Sequence, residues 1–318
     1  MDKTVHTVID PERCLGCGLC IQVCPSETIT MKDKKAVVTG DESLNCGHCQ
    51  AVCPSQAVTV TSLPPGYPDY QTFKHAQRWM PHGWFDTGEL VRLMRSRRSC
   101  RNYTPDPVKR EMLEDLVKVG ITAPSGTNSQ KWTFTILPTR EAVLDFANRI
   151  AEFFHKLNRA AEKAWLRRLL KLVGKPELEL YYQEHYQSVC QALAEWKRTG
   201  RERLFHGATA LIMVGSAPGA SCPQEDALLA TQNILLAAHA MGLGTCLVGF
   251  AVEAMTNDPG IKDFIGIPPE EKVHAVIALG HPNERYLGLA GRRPVTPRYF
   301  PRRRTAAGVG DSRVPRQP

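Results

Sequence analysis

The sequence predicts an α+β protein in two parts, a small cysteine-rich module followed by a larger domain of helices and strands. Seven of the 11 cysteines lie within the first 53 of 318 residues. Beyond about residue 90, segments with helical periodicity alternate with short apolar segments typical of strands. A segment rich in proline and glycine, SLPPGYPDYQTF, lies between the two parts and has the composition of a linker.

The first cysteine run, CLGCGLCIQVCP, has the spacing C-x2-C-x2-C-x3-C-P. Bacterial ferredoxins use this spacing: three thiolates bind one 4Fe-4S cluster and the fourth reaches a second cluster. Tetrahedral zinc is the rival interpretation, but zinc sites use paired C-x2-C units separated by a loop. We therefore favour iron–sulfur chemistry, with these candidate ligands: Cys14, Cys17, Cys20 and Cys24.

The second run, SLNCGHCQAVCP, has serine at the position where a complete motif has its first cysteine. Because the fourth cysteine of each run serves the other cluster, the ligands can be assigned to two sets. The first cluster is expected to use Cys14, Cys17, Cys20 and Cys53. The second is expected to use Cys24, Cys46 and Cys49, with Ser43 or an outside ligand in the fourth position. The second cluster is accordingly a serine-ligated four-iron centre, a three-iron centre, or absent.

Patterns of apolar residues predict the elements of the larger part. A helix is expected to begin near Thr87–Gly88. The further helical segments and strands are predicted at 108–119 (helix), 132–137 (strand), 141–172 and 178–205 (helical), 208–214 (strand), 226–241 (helix) and 273–279 (strand). In the ferredoxin-like part, alternating segments at Ala36–Thr39 and Val58–Thr61 predict hairpin strands.

The segment 226–241 is apolar nearly all round, with Asp226 in the position of an N-cap and Gly242 in that of a C-cap. Such a helix is expected to be buried on every side, either in a core or between two subunits. The segment 141–205 is longer than a connection requires and mixes basic with apolar residues. We interpret it as a solvated face over a packed one, in the position of a lid over a pocket, in preference to a membrane-surface helix.

Charge is concentrated at the C-terminal end. The formal net charge is +8, and the chain from Gly291 onward has eight Arg and one acidic residue, Asp311. The preceding part is nearly neutral, which argues against a protein that binds nucleic acid along a basic surface. No stretch approaches the ~20 consecutive apolar residues of a transmembrane helix, and the start has no apolar signal-peptide core. We therefore expect a cytoplasmic protein without a membrane span.

Three further motifs point to a flavin. RSRRSCRNY places four guanidinium groups close together, and guanidinium forks bind phosphate oxygens bidentately. APSGTNSQKW is a turn-rich loop before a strand, and its Asn and Gln amides both donate and accept hydrogen bonds, as the alternating N and O edge of a flavin ring requires. GLGTCLVGF then follows the apolar helix.

At these motifs, and at ALGHP and RRPV further on, the sequence resembles the FMN-dependent nitroreductase family, here preceded by a two-cluster ferredoxin module. The resemblance spans about residues 91–300 and implies a dimeric α+β sandwich. The FMN contacts it implies are Arg97, Arg98, Ser99 and Arg101 at the phosphate and ribityl chain, Arg292 or Arg293 over the phosphate, Ser125, Asn128 and Gln130 around the ring, and the backbone N–H groups of Val248 and Gly249 towards N5.

This resemblance also sets the expected domain boundaries. They are 1–62 for a ferredoxin-type iron–sulfur domain, 63–90 for a linker, 91–300 for an FMN domain with a helical insertion at about 141–205, and 301–318 for an Arg-rich tail. Family members are homodimers with FMN at the interface, so some of the ring contacts are expected from the partner subunit. Lys131, where the family usually has proline, and the insertion depart from the family pattern near the substrate.

The predicted function is reduction of a small electron-poor acceptor, such as a nitroaromatic, quinone or activated alkene, with electrons that arrive through the clusters. Alternatives are a reductive dehalogenase or another flavin enzyme, and an electron-transfer or redox-sensing subunit without a substrate. The donor is a one-electron protein such as a ferredoxin, or NAD(P)H. GLGTCLVG lacks the third glycine of a dinucleotide fingerprint, but NAD(P)H can also bind directly over a flavin in this family. No single side chain is nominated as a catalytic acid.

Overall fold

The computed structural model describes residues 3–64 and 69–300. The chain divides into two units, Met1–Tyr286 and Leu287–Pro318. The Arg-rich tail predicted at 301–318 lies outside the described residues. Among the described residues, no helix combines the length and the apolar character needed to cross a bilayer.

The cysteine-rich module consists of two antiparallel strand pairs and two short helices. In β1–β4, Thr7 pairs with Val60, and in β2–β3, Ile29 pairs with Val38. Both helices begin after a glycine in the same left-handed conformation, φ 74° and ψ 0°. The elements are β1 (Thr7–Ile9), α1 (Leu19–Gln22), β2 (Ile29–Lys32), β3 (Lys35–Val38), α2 (His48–Ala51) and β4 (Val58–Val60).

The larger part contains a four-stranded sheet and nine of the α-helices among the described residues. Most predicted elements are present, and the predicted strand 132–137 coincides with β5. Short β7 and the two helices after it were not predicted, because a four-residue strand next to an apolar helical turn has no clear period. The elements are α3 (Thr87–Ser96), α4 (Arg110–Gly120), β5 (Trp132–Leu137), α5 (Arg140–Ala161), α6 (Ala164–Leu172), α7 (Glu177–Glu184), α8 (Tyr186–Thr199), β6 (Ala210–Ser216), α9 (Pro223–Ala240), β7 (Gly244–Leu247), α10 (Gly249–Asn257), α11 (Pro259–Phe264) and β8 (Lys272–Gly280).

The sheet has the strand order β5-β6-β8-β7, and every pair is antiparallel. Successive side chains of a strand point to opposite faces, and both faces of β6 and β8 are buried. Leu211 and Met213 pack in a core with α5, α10 and α11. Ile212 and Val214 pack in a second core with α4 and α9. The sheet is therefore covered by helices on both faces, which explains why its central strands read as continuous apolar runs.

Helix α9 differs from its predicted form in two ways. It begins at Pro223 after Cys222, so Asp226 lies in the first turn and not at the N-cap, while Gly242 has the expected left-handed conformation, φ 80°. The helix is also not buried on every side by this chain, because Leu228 and Leu229 are 41% and 46% exposed. Burial in a single core was therefore the wrong alternative, and a subunit interface remains a prediction.

The helical segment predicted at 141–205 divides into a core helix and a peripheral group. Val143, Phe146 and Ile150 of α5 are fully buried, so the beginning of the predicted insertion belongs to the core of the domain. Helices α6, α7 and α8 all lie within the described residues and contain no buried side chain. Only this second group has the position expected of an added lid.

A buried carboxylate fixes the linker to the larger domain. Asp115, on α4, accepts hydrogen bonds from the Gln71 N–H at 2.8 Å and the Thr72 N–H at 2.7 Å. The Thr72 hydroxyl and the Lys118 amine also donate to it, at 2.7 and 3.0 Å. Burial raises the pKa of Asp115, but these hydrogen bonds outweigh burial and lower the pKa to about 2.

We expect Asp115→Asn to destabilise the larger domain by about 2 kcal/mol at neutral pH, because the charged form is the one that its partners stabilise. The native pKa lies below the value of an unfolded aspartate, about 3.9. The charge therefore contributes its full stability above about pH 4 and loses it as the pH falls towards 2. Denaturant unfolding followed against pH measures the difference between the two proteins.

The neighbouring substitution Glu114→Gln is the matched control, because Glu114 forms an exposed ion pair with Arg110, and glutamine keeps a side-chain oxygen that can accept from the Gln71 side-chain amide, which lies at 3.1 Å. Exposed pairs contribute little, so this variant should unfold like the wild type. Equal unfolding of Asp115→Asn and Glu114→Gln at neutral pH would contradict the anchoring role.

Candidate cofactor sites

Four cysteines line one cavity of the N-terminal module: Cys14, Cys17, Cys20 and Cys53. This is the set that the spacing predicted for the first cluster. Two of the sulfurs accept backbone hydrogen bonds, Cys14 from Ala36 at 3.5 Å and Cys53 from Ala57 at 3.2 Å. Hydrogen bonds to ligand sulfurs are one of the means by which a protein tunes an iron–sulfur cluster. The residues present therefore fit a cluster at this cavity.

A second cavity is lined by the other three cysteines of the motifs and by the predicted serine: Cys24, Cys46, Cys49 and Ser43. Ser43 is 8% exposed, and its Oγ lies 3.0 Å from the Asn45 N–H, which donates to it. The predicted fourth position is therefore beside the three thiols. The hydroxyl is already a hydrogen-bond acceptor in the loop that leads to Cys46.

Electrostatic interactions among the thiols follow the same partition. Burial raises the pKa of Cys20, and negative charge at Cys14 and Cys17 raises it further. Burial likewise raises the pKa of Cys49, with additional contributions from Cys46 and Cys24. Thiolates gathered in this way repel one another, and bound iron would offset that repulsion because metal binding favours the deprotonated thiol.

The first cysteine knuckle depends on a glycine that has no room for a side chain. Gly16 has φ +69°, and a Cβ placed there would lie 2.1 Å from the Lys34 carbonyl oxygen. The turn of the β2–β3 hairpin therefore passes directly over the knuckle. Any larger residue at this position must displace one of the two.

The arginine-rich segment runs beside β7. Ser99 forms a parallel bridge with Thr245, and the Cys100 N–H donates to the Thr245 carbonyl at 2.9 Å. The approach is close, since a Cβ on Gly244 would lie 2.8 Å from both Cβ and Sγ of Cys100. The structure thus brings Ser99 and its neighbours to the strand that leads to Val248 and Gly249.

Electrostatics place the arginines in the same region. Burial raises the pKa of the Cys246 thiol, and the positive charges of Arg101 and Arg97 act in the opposite direction. Arg97 is the C-cap residue of α3. The hydrogen bond to Glu284 raises the pKa of Tyr286, and the positive charge of Arg98 acts in the opposite direction. Burial also raises the pKa of the Cys100 thiol to about 11, so this cysteine is a packed residue and not an activated nucleophile.

The two backbone N–H groups predicted to face the flavin N5 differ in whether they already have a hydrogen-bond acceptor. The Val248 N–H donates to the Val276 carbonyl at 2.9 Å, so it is already hydrogen-bonded within the chain, and its predicted role towards N5 stays a prediction. Gly249 is the first residue of α10, and N–H groups in the first turn of a helix have no acceptor within the helix. Of the pair, only the Gly249 N–H has the expected character.

The loop that carries Ser125, Asn128 and Gln130 is held by Asp226 at the start of α9. The Asp226 carboxylate accepts hydrogen bonds from the Gly126 N–H at 2.8 Å and from the Ser129 hydroxyl at 3.3 Å. This role of Asp226 was not predicted. The available signal is an acidic residue at the start of an apolar helix, a pattern that also predicts a helix cap.

Within this loop the three predicted side chains have different partners. Ser125 Oγ accepts from the Gln130 N–H at 3.0 Å, and the Gln130 side-chain amide donates to Asn128 Oδ1 at 3.1 Å. The Asn128 amide donates to the carbonyls of Leu44 and Asn45 in the N-terminal module, at 3.3 and 3.1 Å. Asn128 therefore does not have the free amide expected of a flavin ring contact.

The remaining predicted contacts, Arg292 and Arg293, belong to the unit that begins at Leu287. Both are exposed, and the Arg292 guanidinium donates to the Gly291 carbonyl at 3.0 Å.

An aromatic group beside Gly249 was not predicted. The Phe250 ring lies 5.7 Å from the Phe154 ring and 5.5 Å from the His185 ring, both in edge-to-face contact. Tyr181 of α7 stacks on Phe154 and donates to Asn158 Oδ1 at 2.6 Å. The helices after α5 therefore reach the residues that follow β7, and their role as a lid stays a prediction.

Two family models match the chain. Residues 94–281, more than half of the chain, match the nitroreductase family. Residues 6–59 match a 4Fe-4S dicluster domain.

Similar proteins include two enzymes and one solved structure. Iodotyrosine deiodinase of Daphnia pulex is 25% identical over 61% of this chain and 59% of its own length, so this chain spans less than two thirds of that relative. The 4-nitrobenzoate reductase of Pseudomonas putida is 25% identical over 62% of this chain and 87% of its own. A nitroreductase with bound FMN from Bacteroides fragilis is 21% identical, covers 66% of this chain and 96% of its own, and has a TM-score of 0.45.

We expect Gly16→Ala to lower the iron content of the purified protein by roughly half, the share of one of two clusters, because the added Cβ collides with the Lys34 carbonyl. Gly174→Ala is the matched control. Gly174 has a similar φ of +77°, but nothing lies within 4 Å of its Cβ position. Iron and sulfide assays after anaerobic purification measure the effect, and equal iron in both variants would contradict the steric argument.

Proposed function

Because the chain belongs to the nitroreductase family of flavoenzymes and carries an N-terminal 4Fe-4S dicluster domain, we propose that it is an FMN-dependent oxidoreductase that takes electrons through its clusters and reduces a small electron-poor acceptor. One observation carries this proposal. The Met1–Tyr286 unit contains both cysteine-lined cavities and the arginine–serine segment beside β7, and the Asn128 amide joins the two parts.

Two clusters are proposed, with the ligand sets of the two cavities. The first set is Cys14, Cys17, Cys20 and Cys53, and the second is Cys24, Cys46, Cys49 and Ser43. The position of Ser43 among the three thiols favours the serine-ligated four-iron form of the second cluster over the three-iron form. A serine oxygen is a harder, more basic ligand than a thiolate, so this cluster should have the lower reduction potential of the two.

The flavin is proposed to lie against the segment beside β7. Arg97, Arg98, Ser99 and Arg101 would bind the phosphate and ribityl chain, because guanidinium groups form charge-assisted bonds with phosphate. Gly249 would direct its N–H towards N5, and Ser125 and Gln130 would border the ring. Bound FMN exchanges single electrons with clusters and delivers a hydride to an organic acceptor.

The acceptor pocket is proposed to be bordered by Phe250, which is 38% exposed, and by the helices that contact it through His185. An aromatic wall favours a flat acceptor, because aromatic rings stack on one another in offset or edge-on arrangements. A nitroaromatic, a quinone or an activated alkene fits this description. The substrate in the name of one relative, 4-nitrobenzoate reductase, is a nitroaromatic.

Reductive dehalogenation of an aromatic substrate is the second candidate. The similarity to iodotyrosine deiodinase of Daphnia pulex favours it, and the same aromatic wall would accept a halogenated ring. The two candidates differ in the bond that is reduced, a nitrogen–oxygen bond in the first case and a carbon–halogen bond in the second. Product analysis therefore separates them.

We also propose a cytoplasmic homodimer supplied by a one-electron donor protein such as a ferredoxin, or by NAD(P)H. The dimer is supported by apolar side chains that this chain leaves exposed. Leu228 and Leu229 on α9 are 41% and 46% exposed, and Trp79 and Trp84 of the linker are each 75% exposed. Large exposed apolar groups of this kind are typical of subunit interfaces.

The test is anaerobic stopped-flow absorbance with protein purified without oxygen and with its released flavin identified by chromatography. Reduction of the clusters by dithionite should be followed by reduction of bound FMN, and then by reoxidation when 4-nitrobenzoate is added. Replacing the acceptor with 3-iodo-tyrosine and assaying iodide tests the second candidate. Protein without flavin, or clusters that never reduce it, would refute the proposed function.

We expect Gly244→Ala to weaken FMN binding, because the added Cβ collides with Cys100 and displaces the segment that carries Ser99 and Arg101. Loss of one charge-assisted hydrogen bond, about 1.5–3 kcal/mol, raises the Kd roughly 10- to 100-fold. Quenching of FMN fluorescence in a titration measures it. The double variant Gly244→Ala/Cys100→Gly removes the colliding atoms and should recover most of the affinity, whereas equal weakening in both proteins would show that the collision is not the cause.

A further inference from the structure

The Asn128 side chain links the two parts of the protein next to a candidate cluster ligand. Its amide donates to the Leu44 carbonyl at 3.3 Å and to the Asn45 carbonyl at 3.1 Å. The Asn45 carbonyl belongs to the peptide bond that joins Asn45 to Cys46. The contact is therefore one peptide group away from a cysteine of the second cavity.

The module side of this contact is rigidly held. The Asn45 side chain accepts from the His6 N–H at 3.2 Å and donates to the Thr4 carbonyl at 2.9 Å. Its backbone N–H donates to Ser43 Oγ at 3.0 Å, and its φ is +49°. Hydrogen bonds on both sides of Asn45 thus fix the loop from Ser43 to Cys46 and orient the carbonyls that Asn128 contacts.

The other side of the contact is equally fixed. Asn128 Oδ1 accepts from the Gln130 side-chain amide at 3.1 Å, and the Gln130 N–H donates to Ser125 Oγ at 3.0 Å. Asn128 and Gln130 have left-handed φ values of 55° and 47°, a conformation that asparagine tolerates better than most residues. A continuous hydrogen-bonded path therefore runs from the Cys46 peptide through Asn128 to the loop proposed to border the flavin.

We propose that Asn128 is a positioning residue that holds the loop from Ser43 to Cys46 against the 125–130 loop, so that the second cluster is the electron-transfer neighbour of the flavin. This inference rests on the proposed function. The first cavity lies beside Leu15, 71% exposed, and the exposed Cys17, which leaves that end of the module open to an external donor. Two single electrons from such a donor, with protons from water, reduce one flavin.

Two substitutions test the contact. Asn128→Asp keeps the shape of the side chain but places an oxygen where the amide donated to two carbonyls. Asn128→Gly removes the side chain and retains the left-handed φ. Amide hydrogen exchange of residues 43–46 should become roughly three- to tenfold faster in both variants, the effect of one net hydrogen bond on a local opening equilibrium.

Thr127→Ala is the matched control. Thr127 is the preceding residue, also has a left-handed φ of 53°, and directs its hydroxyl to Ser221 at 2.6 Å, away from the N-terminal module. Exchange of residues 43–46 should remain at the wild-type rate in this variant. Unchanged exchange in both Asn128 variants would overturn the positioning role.

The second measurement is the rate of electron transfer from dithionite-reduced clusters to flavin, taken per bound flavin by anaerobic stopped-flow. It should fall in the Asn128 variants and not in Thr127→Ala, while the EPR signal of the reduced first cluster stays the same. Faster exchange with an unchanged transfer rate would overturn the assignment of the second cluster as the flavin's neighbour. Wild-type protein that contains no flavin would refute the proposed function instead. The exchange experiment needs no flavin, so it would still show whether Asn128 holds the loop from Ser43 to Cys46.

Discussion

The arrangement of the candidate flavin site depends on one buried carboxylate. Asp226 is 4% exposed and accepts hydrogen bonds from Gly126 and Ser129, and its backbone carbonyl accepts from the Trp132 indole at 3.1 Å. A buried carboxylate is costly unless such donors surround it. The start of α9, the 125–130 loop and the first residue of β5 must therefore stay together, and Asn128 is presented to the N-terminal module as a consequence.

Three kinds of close contact join the modules and motifs. The linker is tied to α4 through Asp115, the arginine segment lies on β7 where Gly244 leaves space, and Asn128 meets the loop before Cys46. Each uses backbone groups on at least one side, so each fixes the position of a segment and not only of a side chain. The segments that line the cysteine cavities and those of the proposed flavin site are thus held to one another, as the proposed function requires.

The family, the α+β class and the iron–sulfur domain were predicted correctly, because cysteine spacing and the nitroreductase motifs are local patterns. The same holds for β5 and for most helices, whose apolar periods are clear. Errors occurred where a residue had two possible local roles. Asp226 has the chemistry of a helix cap but lies in the first turn of α9, where it holds the 125–130 loop.

The sequence by itself determined which side chains are candidates to hold iron and flavin, since thiols at the ferredoxin spacing, and an arginine run followed by further nitroreductase motifs, are local patterns. Only the tertiary structure decided which candidate groups are already hydrogen-bonded to another part of the chain. The Val248 N–H is taken up by the Val276 carbonyl, and the Asn128 amide by carbonyls more than 80 residues earlier in the chain. Hydrogen bonds between segments so distant in sequence leave no periodic trace, because they depend on how the chain folds back and not on the spacing of neighbouring residues.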